Sequence, residues 1–277
     1  NSLSELDANR VGSFLRKTIM IVNRREFLGT VGPALVGAAS LLSTSVSVGA
    51  PVRPAWKIAV FDAFPIFDPR SVSALVEQLF PQKAAELNNV WRTRQFEYQW
   101  LRSITGHYAD FRQATEDALV YAAKQLKLDL PADKRTQLMS AYEQLNAWPD
   151  VVPALHALKD AGLRLAFLSN MTRGMLDANI AHAGLHGVFE QVLSTDQKKV
   201  YKPDPRAYQL AIDAFKVKRE EILFVAFAGW DAAGAKLFGY PTFWVNRLNL
   251  PVEELGAMPD AAGAGLQDLV SFVTRRS

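Results

Sequence analysis

The spacing of apolar residues changes twice along the chain. "KIAVFDAFPIFD", residues 57–68, opens with the apolar run Ile58–Phe61, too short for a helix and continuous enough for a buried strand. From 71 to 145 the period becomes helical. "SVSALVEQLF", "AAELNNVWRTRQFEYQWLRSI", "FRQATEDALVYAAKQL" and "ADKRTQLMSAYEQL" repeat apolar residues at intervals of three and four, with no strand between them. Helix and strand then alternate. "WPDVVPALHALKDAG" reads as a helix stopped at Gly162, "LRLAFLSN" as a strand, and "TRGMLDANIAHAG" as a helix. "FEQVLST", "EILFVAF" and "PTFWVN" read as strands separated by the helices "DPRAYQLAIDAF" and "WDAAGAKLFG". The last assigned element ends at Asn246. This alternation predicts right-handed βαβ units, hence an α/β fold with a Rossmann-like parallel sheet. The helical block after the first strand then becomes an inserted, all-helical cap. The predicted division is 51–70 and 147–277 for the core and 71–146 for the cap. Ligands of such sheets lie beyond the carboxyl ends of the strands, where Asp62, Ser169, Asn170, Thr195 and Trp230–Asp231 fall.

The segment before the first strand has another character. "NRREFLGTVGPALVGAASLLSTSVSVGA", residues 23–50, pairs Arg24 with Arg25 ahead of a mildly apolar run rich in Gly, Ala and Ser. It resembles a twin-arginine export signal ending near Ala50, which implies the twin-arginine machinery as a partner and a periplasmic location. A spanning helix fits less well, because Gly, Pro and Ser interrupt the run, and no membrane association of the mature form is expected. Residues 1–19 fall outside the pattern, and Met20 is a natural start.

Composition narrows the chemistry. The 277 residues carry 31 basic and 28 acidic side chains; without the five basic and three acidic residues of the first fifty, the balance is only +1. No nucleic-acid footprint is expected. With no cysteine in the sequence, disulfides, thiolate metal sites and a Cys nucleophile are excluded. The four histidines lack ligand spacing, and neither a metal nor another cofactor is expected.

Five polar features occur in order: "FDAF", "WR", "LSN", "VYKPDPRAY" and "GWDAAGA". With "QFEYQWLRS", "ATEDAL", "AHAGL" and "WDAAGAKLFGYPTFWVNR", this order resembles the haloacid dehalogenase superfamily, and within it the L-2-haloacid dehalogenases. The resemblance implies metal-free hydrolytic dehalogenation of short 2-haloacids. Asp62 would be the nucleophile, forming an ester that water then hydrolyses. Arg92 would hold the departing halide, Lys202 would keep Asp62 ionised, and Asp231 would position or activate the water. Ser169 and Asn170 would meet the substrate carboxylate. Phe64, Thr93, Phe96, Phe111 and Trp230 would line the pocket, with Tyr208 supporting the polar network. A homodimer is common in that family. Phosphatases of the superfamily carry a second Asp two residues after the nucleophile; Phe64 stands there. Taken alone, each residue also has an ordinary reading: a turn residue for Asp62, a helix-capping pair for Ser169 and Asn170, an exposed loop lysine for Lys202, and core for the aromatics.

The sequence departs from the family pattern around the same carboxylates. The first loop usually reads Gly-Thr-Leu-Phe-Asp; here it is Pro65-Ile66-Phe67-Asp68, one residue shorter and without the Thr hydroxyl. Ala226 and Ala228 replace a usual Ser and Asn. These losses leave two further readings open: a protein that binds small acids without turning them over, and another hydrolase of the superfamily.

Overall fold

The computed structural model describes residues 56–275. The leader, residues 1–50, lies outside them. The first strand, β1 (Ile58–Phe61), is followed by four helices with no strand between them: α1 (Arg70–Leu79), α2 (Ala84–Thr105), α3 (Phe111–Gln125) and α4 (Ala132–Ala141). Then come α5 (Val151–Asp160), β2 (Arg164–Ser169), α6 (Arg173–His182), β3 (Gln191–Ser194), α7 (Pro205–Phe215), β4 (Ile222–Ala226), α8 (Gly229–Phe238) and β5 (Thr242–Val245). A short strand, β6 (Ala261–Gly263), and a last helix, α9 (Leu266–Arg275), complete the described chain. These two lie past the last element read from the sequence.

The six strands form one sheet in the order β3-β2-β1-β4-β5-β6, every neighbouring pair parallel. This is the predicted α/β architecture. The period-two alternation of each strand sends one set of side chains to each face. Ala59, Phe61, Leu165, Phe167, Leu223 and Val225 pack on α5, α6 and α9, while Ile58, Val60, Ala166, Leu168, Phe224 and Ala226 pack on α7 and α8. Both faces are covered, so the central strands β1 and β4 are buried and apolar along their whole length.

Register fixes where the polar residues emerge. Phe61 lies beside Phe167 of β2 and Val225 of β4, and the Asp62 amide extends the ladder by donating to the Val225 carbonyl at 3.0 Å. The chain therefore leaves β1 at the same level as its two neighbours. Strand order reverses between β1 and β4, the crevice position expected to receive ligands.

The four inserted helices are tied to the sheet end by polar bonds as well as apolar packing. Trp91, Gln95 and Gln99 recur at intervals of four and make one buried stripe of α2. Trp91 Nε1 and Gln95 Nε2 donate to the carbonyl and hydroxyl of Thr115 on α3 at 2.8 and 2.6 Å. One turn further along, Asn170 Nδ2 donates to Gln99 Oε1 at 2.8 Å, and the Tyr201 amide donates to Ser103 Oγ at 2.9 Å. Those last two bonds join α2 to the segments beside the strand ends.

Candidate active site

The sheet delivers Asp62 to the crevice from β1, and α8 delivers Asp231 in its first turn, where the helix dipole favours a carboxylate. Lys202 reaches in from the loop before α7. Its Nζ donates to Asp62 Oδ1 at 2.8 Å and to Asp231 Oδ2 at 2.6 Å. All three side chains are buried: Lys202 and Asp231 are 1% exposed and Asp62 8%. Tyr208, on α7, donates from its hydroxyl to Asp231 Oδ1 at 2.7 Å, and Tyr240 donates to the Tyr208 carbonyl at 2.7 Å. Among the described residues, Asp62 Oδ2 receives only a long bond, 3.4 Å, from the Phe64 amide, and is the oxygen left free to react.

The electrostatics follow from burial. Desolvation alone lowers the pKa of the Lys202 ammonium, but Asp231 and Asp62 outweigh it and hold the group above its ordinary value. Burial raises the Asp231 carboxyl to about 6; Lys202 opposes the rise and Asp62 adds to it. Burial, then the Asp231 charge, pushes the Tyr208 phenol well up, so it stays a donor. With the ionised groups counted, Asp62, Lys202 and Asp231 sum to −1, the wrong sign to receive an anionic ligand unassisted. A divalent cation does not fit here, because the Lys202 ammonium fills the space between the two carboxylates and Phe64 stands where a second aspartate would be needed.

The other predicted residues fall into groups. Ser169 and Asn170 are buried at the end of β2. Ser169 Oγ accepts from the Met171 amide at 3.2 Å, which leaves its hydroxyl proton free to donate. The Asn170 side chain is engaged on both ends, with Oδ1 accepting from the Lys202 amide at 2.9 Å and from Thr195 Oγ1 at 3.3 Å, and Nδ2 bonded to Gln99. It thus sets the backbone of Lys202. Phe96 and Trp230 meet edge to face at 5.4 Å, and Phe64 lies 6.0 Å from Phe227. Phe111 is buried in the helical insert, edge-on to Tyr142 at 6.2 Å. Arg92 and Thr93 are exposed on α2, Arg92 one turn before Phe96. Of the α2 arginines, Arg94 and Arg102 are paired with Glu97 and Asp117, whereas Arg92 makes no ion pair among the described residues.

Three neighbours of these groups were not singled out from the sequence. Trp100 completes the aromatic set, 5.9 Å from Phe96 and 5.6 Å from Trp230. Phe227 faces Phe64, and Gln99 holds Asn170. Gln99 and Trp100 both lie in the block "QFEYQWLRS", and Gln99 is also a polar residue on the stripe marked by Trp91.

A family model described as a haloacid dehalogenase-like hydrolase matches residues 66–239, well over half of the chain. The chain belongs to the haloacid dehalogenase-like hydrolases. The match begins inside the shortened loop, just after Asp62. An (S)-2-haloacid dehalogenase of Pseudomonas sp. (strain YL) is 44% identical over 207 residues, 75% of this chain and 89% of that one. A crystal structure of an L-2-haloacid dehalogenase, 45% identical, superposes with a TM-score of 0.78 over 79% of this chain and 99% of the other. The Xanthobacter autotrophicus enzyme with chloropropionic acid covalently bound is 34% identical, with a TM-score of 0.74 over 80% and 100%. In this haloacid dehalogenase-like hydrolase, Ala228 stands at the N-cap of α8 and offers no side-chain cap, and Ala226 ends β4 as a buried methyl.

Proposed function

We propose that the protein hydrolyses the carbon–halogen bond of short-chain L-2-haloacids, giving 2-hydroxy acids of inverted configuration. The observation that carries this reading is a buried carboxylate, Asp62, held by Lys202 on one oxygen and free on the other, at the carboxyl end of β1. Asp62 Oδ2 attacks C2, the carbon–halogen bond breaks, and the halide leaves with its electron pair. Water then attacks the ester carbonyl while Asp231 takes its proton; the C–O bond to Asp62 breaks at the acyl carbon, Asp231 returns the proton to the departing alkoxide, and the hydroxy acid leaves. Lys202 stays protonated throughout, neutralising whichever carboxylates are ionised. The −1 balance of the three groups calls for a further cation against the anionic substrate, and the unpaired Arg92 is suited to supply it. Phe64, Phe96 and Trp230 offer apolar walls that keep water from the nucleophile. Residues 71–146 act as the cap. The relatives named above, which are haloacid dehalogenases by name, support the same substrate class.

Halide release from L-2-chloropropionate tests this, with Asp62→Asn as the control. Steady release by the native chain, absent from a folded control, is expected. Folded native protein that binds the acid and releases no halide would favour an acid-binding role instead.

Export to the periplasm through the twin-arginine route is part of the same proposal, supported by Arg24-Arg25 and the Gly/Ala/Ser-rich run after them. Replacing both arginines by lysine is expected to leave the protein in the cytoplasm; unchanged export would rule the route out.

A further inference from the structure

The loop that carries Asp62 has lost its usual threonine, yet it is held in place from its outer side. Ala63 to Phe67 form a tight turn in which the amides of Ile66 and Phe67 both donate to the Ala63 carbonyl, at 3.1 and 2.9 Å. Pro65 has no amide hydrogen. The Phe64 amide faces the nucleophile, donating to Asp62 Oδ2 at 3.4 Å. That amide and the Ala63 carbonyl belong to one peptide plane, anchored on both edges. The next three carbonyls all point away to a second set of groups. Trp148 Nε1 donates to the Phe64 carbonyl at 3.0 Å, Arg247 Nη2 to the Pro65 carbonyl at 3.2 Å, and the Trp148 amide to the Ile66 carbonyl at 3.0 Å. Phe64 thus sits between two fixed peptide planes, which sets the direction of its amide.

The outer set is itself built. The Arg247 guanidinium lies 4.5 Å above the Trp148 ring and pairs with Asp150 through two bonds, 2.8 Å (Nη2 to Oδ1) and 3.1 Å (Nη1 to Oδ2). Asp150 Oδ2 also accepts the Leu266 amide at 2.8 Å, which ties the start of α9 to the same cluster. A Cβ on Gly265 would stand 2.6 Å from that oxygen, so a side chain there would displace the carboxylate from its present place. Arg247 is 10% exposed at its side chain, a depth at which a guanidinium is kept for its geometry rather than for solubility.

We propose that Arg247 and Trp148 are positioning residues for the reaction. They hold the Phe64–Ile66 carbonyls so that the Phe64 amide steers Asp62 Oδ2, a task the absent threonine cannot perform. The proposal rests on the dehalogenase reading for its kinetic arm and on geometry alone for its structural arm.

Two variants test it in the full-length protein. Trp148→Phe keeps the ring and loses the Nε1 donor; Arg247→Lys keeps the charge and cannot serve Asp150 and Pro65 together. Single-turnover halide release is expected to slow by about tenfold to a hundredfold in each, the cost of a misplaced reacting group, with its dependence on haloacid concentration unchanged. A crystal structure of Trp148→Phe is expected to show the Phe64 amide turned from Asp62. Folded variants that release halide at the native rate, or a Trp148→Phe structure with the Phe64–Asp62 contact intact, would overturn the proposal. If the native protein itself releases no halide, the dehalogenase reading fails, and the crystal structure still decides the clamp.

Discussion

Lys202 illustrates how much a single buried cation does in this site. A lone lysine at that depth would lose its proton, yet two carboxylates within 2.8 Å keep it charged and give each a defined direction. Asp231, raised to about 6 against about 3.9 in an unfolded chain, gives the sign of the pH dependence. Between those values the folded protein holds a proton that the unfolded chain has released. This group's contribution to stability is thus full below about 4 and declines as pH rises to about 6. Activity runs the other way, since Asp231 accepts a proton from water only when ionised. Release of the hydroxy acid is expected to slow by about tenfold per unit as pH falls below about 6. Stopped-flow measurement of that step checks it, and a rate flat from pH 7 to 5 would remove Asp231 as the base. Asp62 and Asp231 were visible in the sequence just beyond strand ends, and Lys202 in the block "VYKPDPRAY" that carries the family resemblance. Which side chains complete their bonds was not. Asn170 looked like a substrate ligand or a helix cap, and in the fold its side chain is taken up by the Lys202 amide, Thr195 and Gln99.

At the scale of elements, the helices and strands up to β5 follow the apolar spacing closely, since both sheet faces and one stripe of each helix must be buried. β6 was not read because its three residues, Ala261–Gly263, carry no side chain large enough to mark a strand. Its place is set by pairing with β5 and by α9, whose Leu266, Leu269, Phe272 and Val273 close the sheet face. The approach of α8 to α7 was likewise illegible. A Cβ on Gly234 would fall 2.6 Å from the Tyr208 hydroxyl and 2.7 Å from Pro203 Cβ, so this glycine lets α8 bring Asp231 within reach of Tyr208 and Lys202. In the sequence Gly234 is simply one small residue among the alanines of "WDAAGAKLFG". The shortened loop after β1 is a similar case. Proline in place of a longer, hydroxyl-bearing turn reads as a loss, and only the fold shows Trp148 and Arg247, 82 to 182 residues away along the chain by their bonds to Phe64, Pro65 and Ile66, taking hold of its carbonyls.

For the molecule as a whole, the parallel sheet explains why residues so distant in sequence converge. Each strand points its carboxyl end the same way, so Asp62, Ser169 and the start of α8 open on one crevice, and the inserted helices close on it through Gln99 and Ser103. The position of the insert was legible from the change of period, but its docking was not, because a polar bond between two buried amides leaves no periodic trace. The central claim is that Asp62 becomes an ester and is regenerated by water. Single-turnover reaction with L-2-chloropropionate in water enriched in ¹⁸O, followed by mass spectrometry of the peptide containing Asp62, tests this most directly. Attack of water on the ester carbonyl predicts one solvent oxygen retained in Asp62 and an unlabelled hydroxy acid. Label found in the hydroxy acid with none in Asp62 would mean that water displaces the halide itself, and would contradict the account.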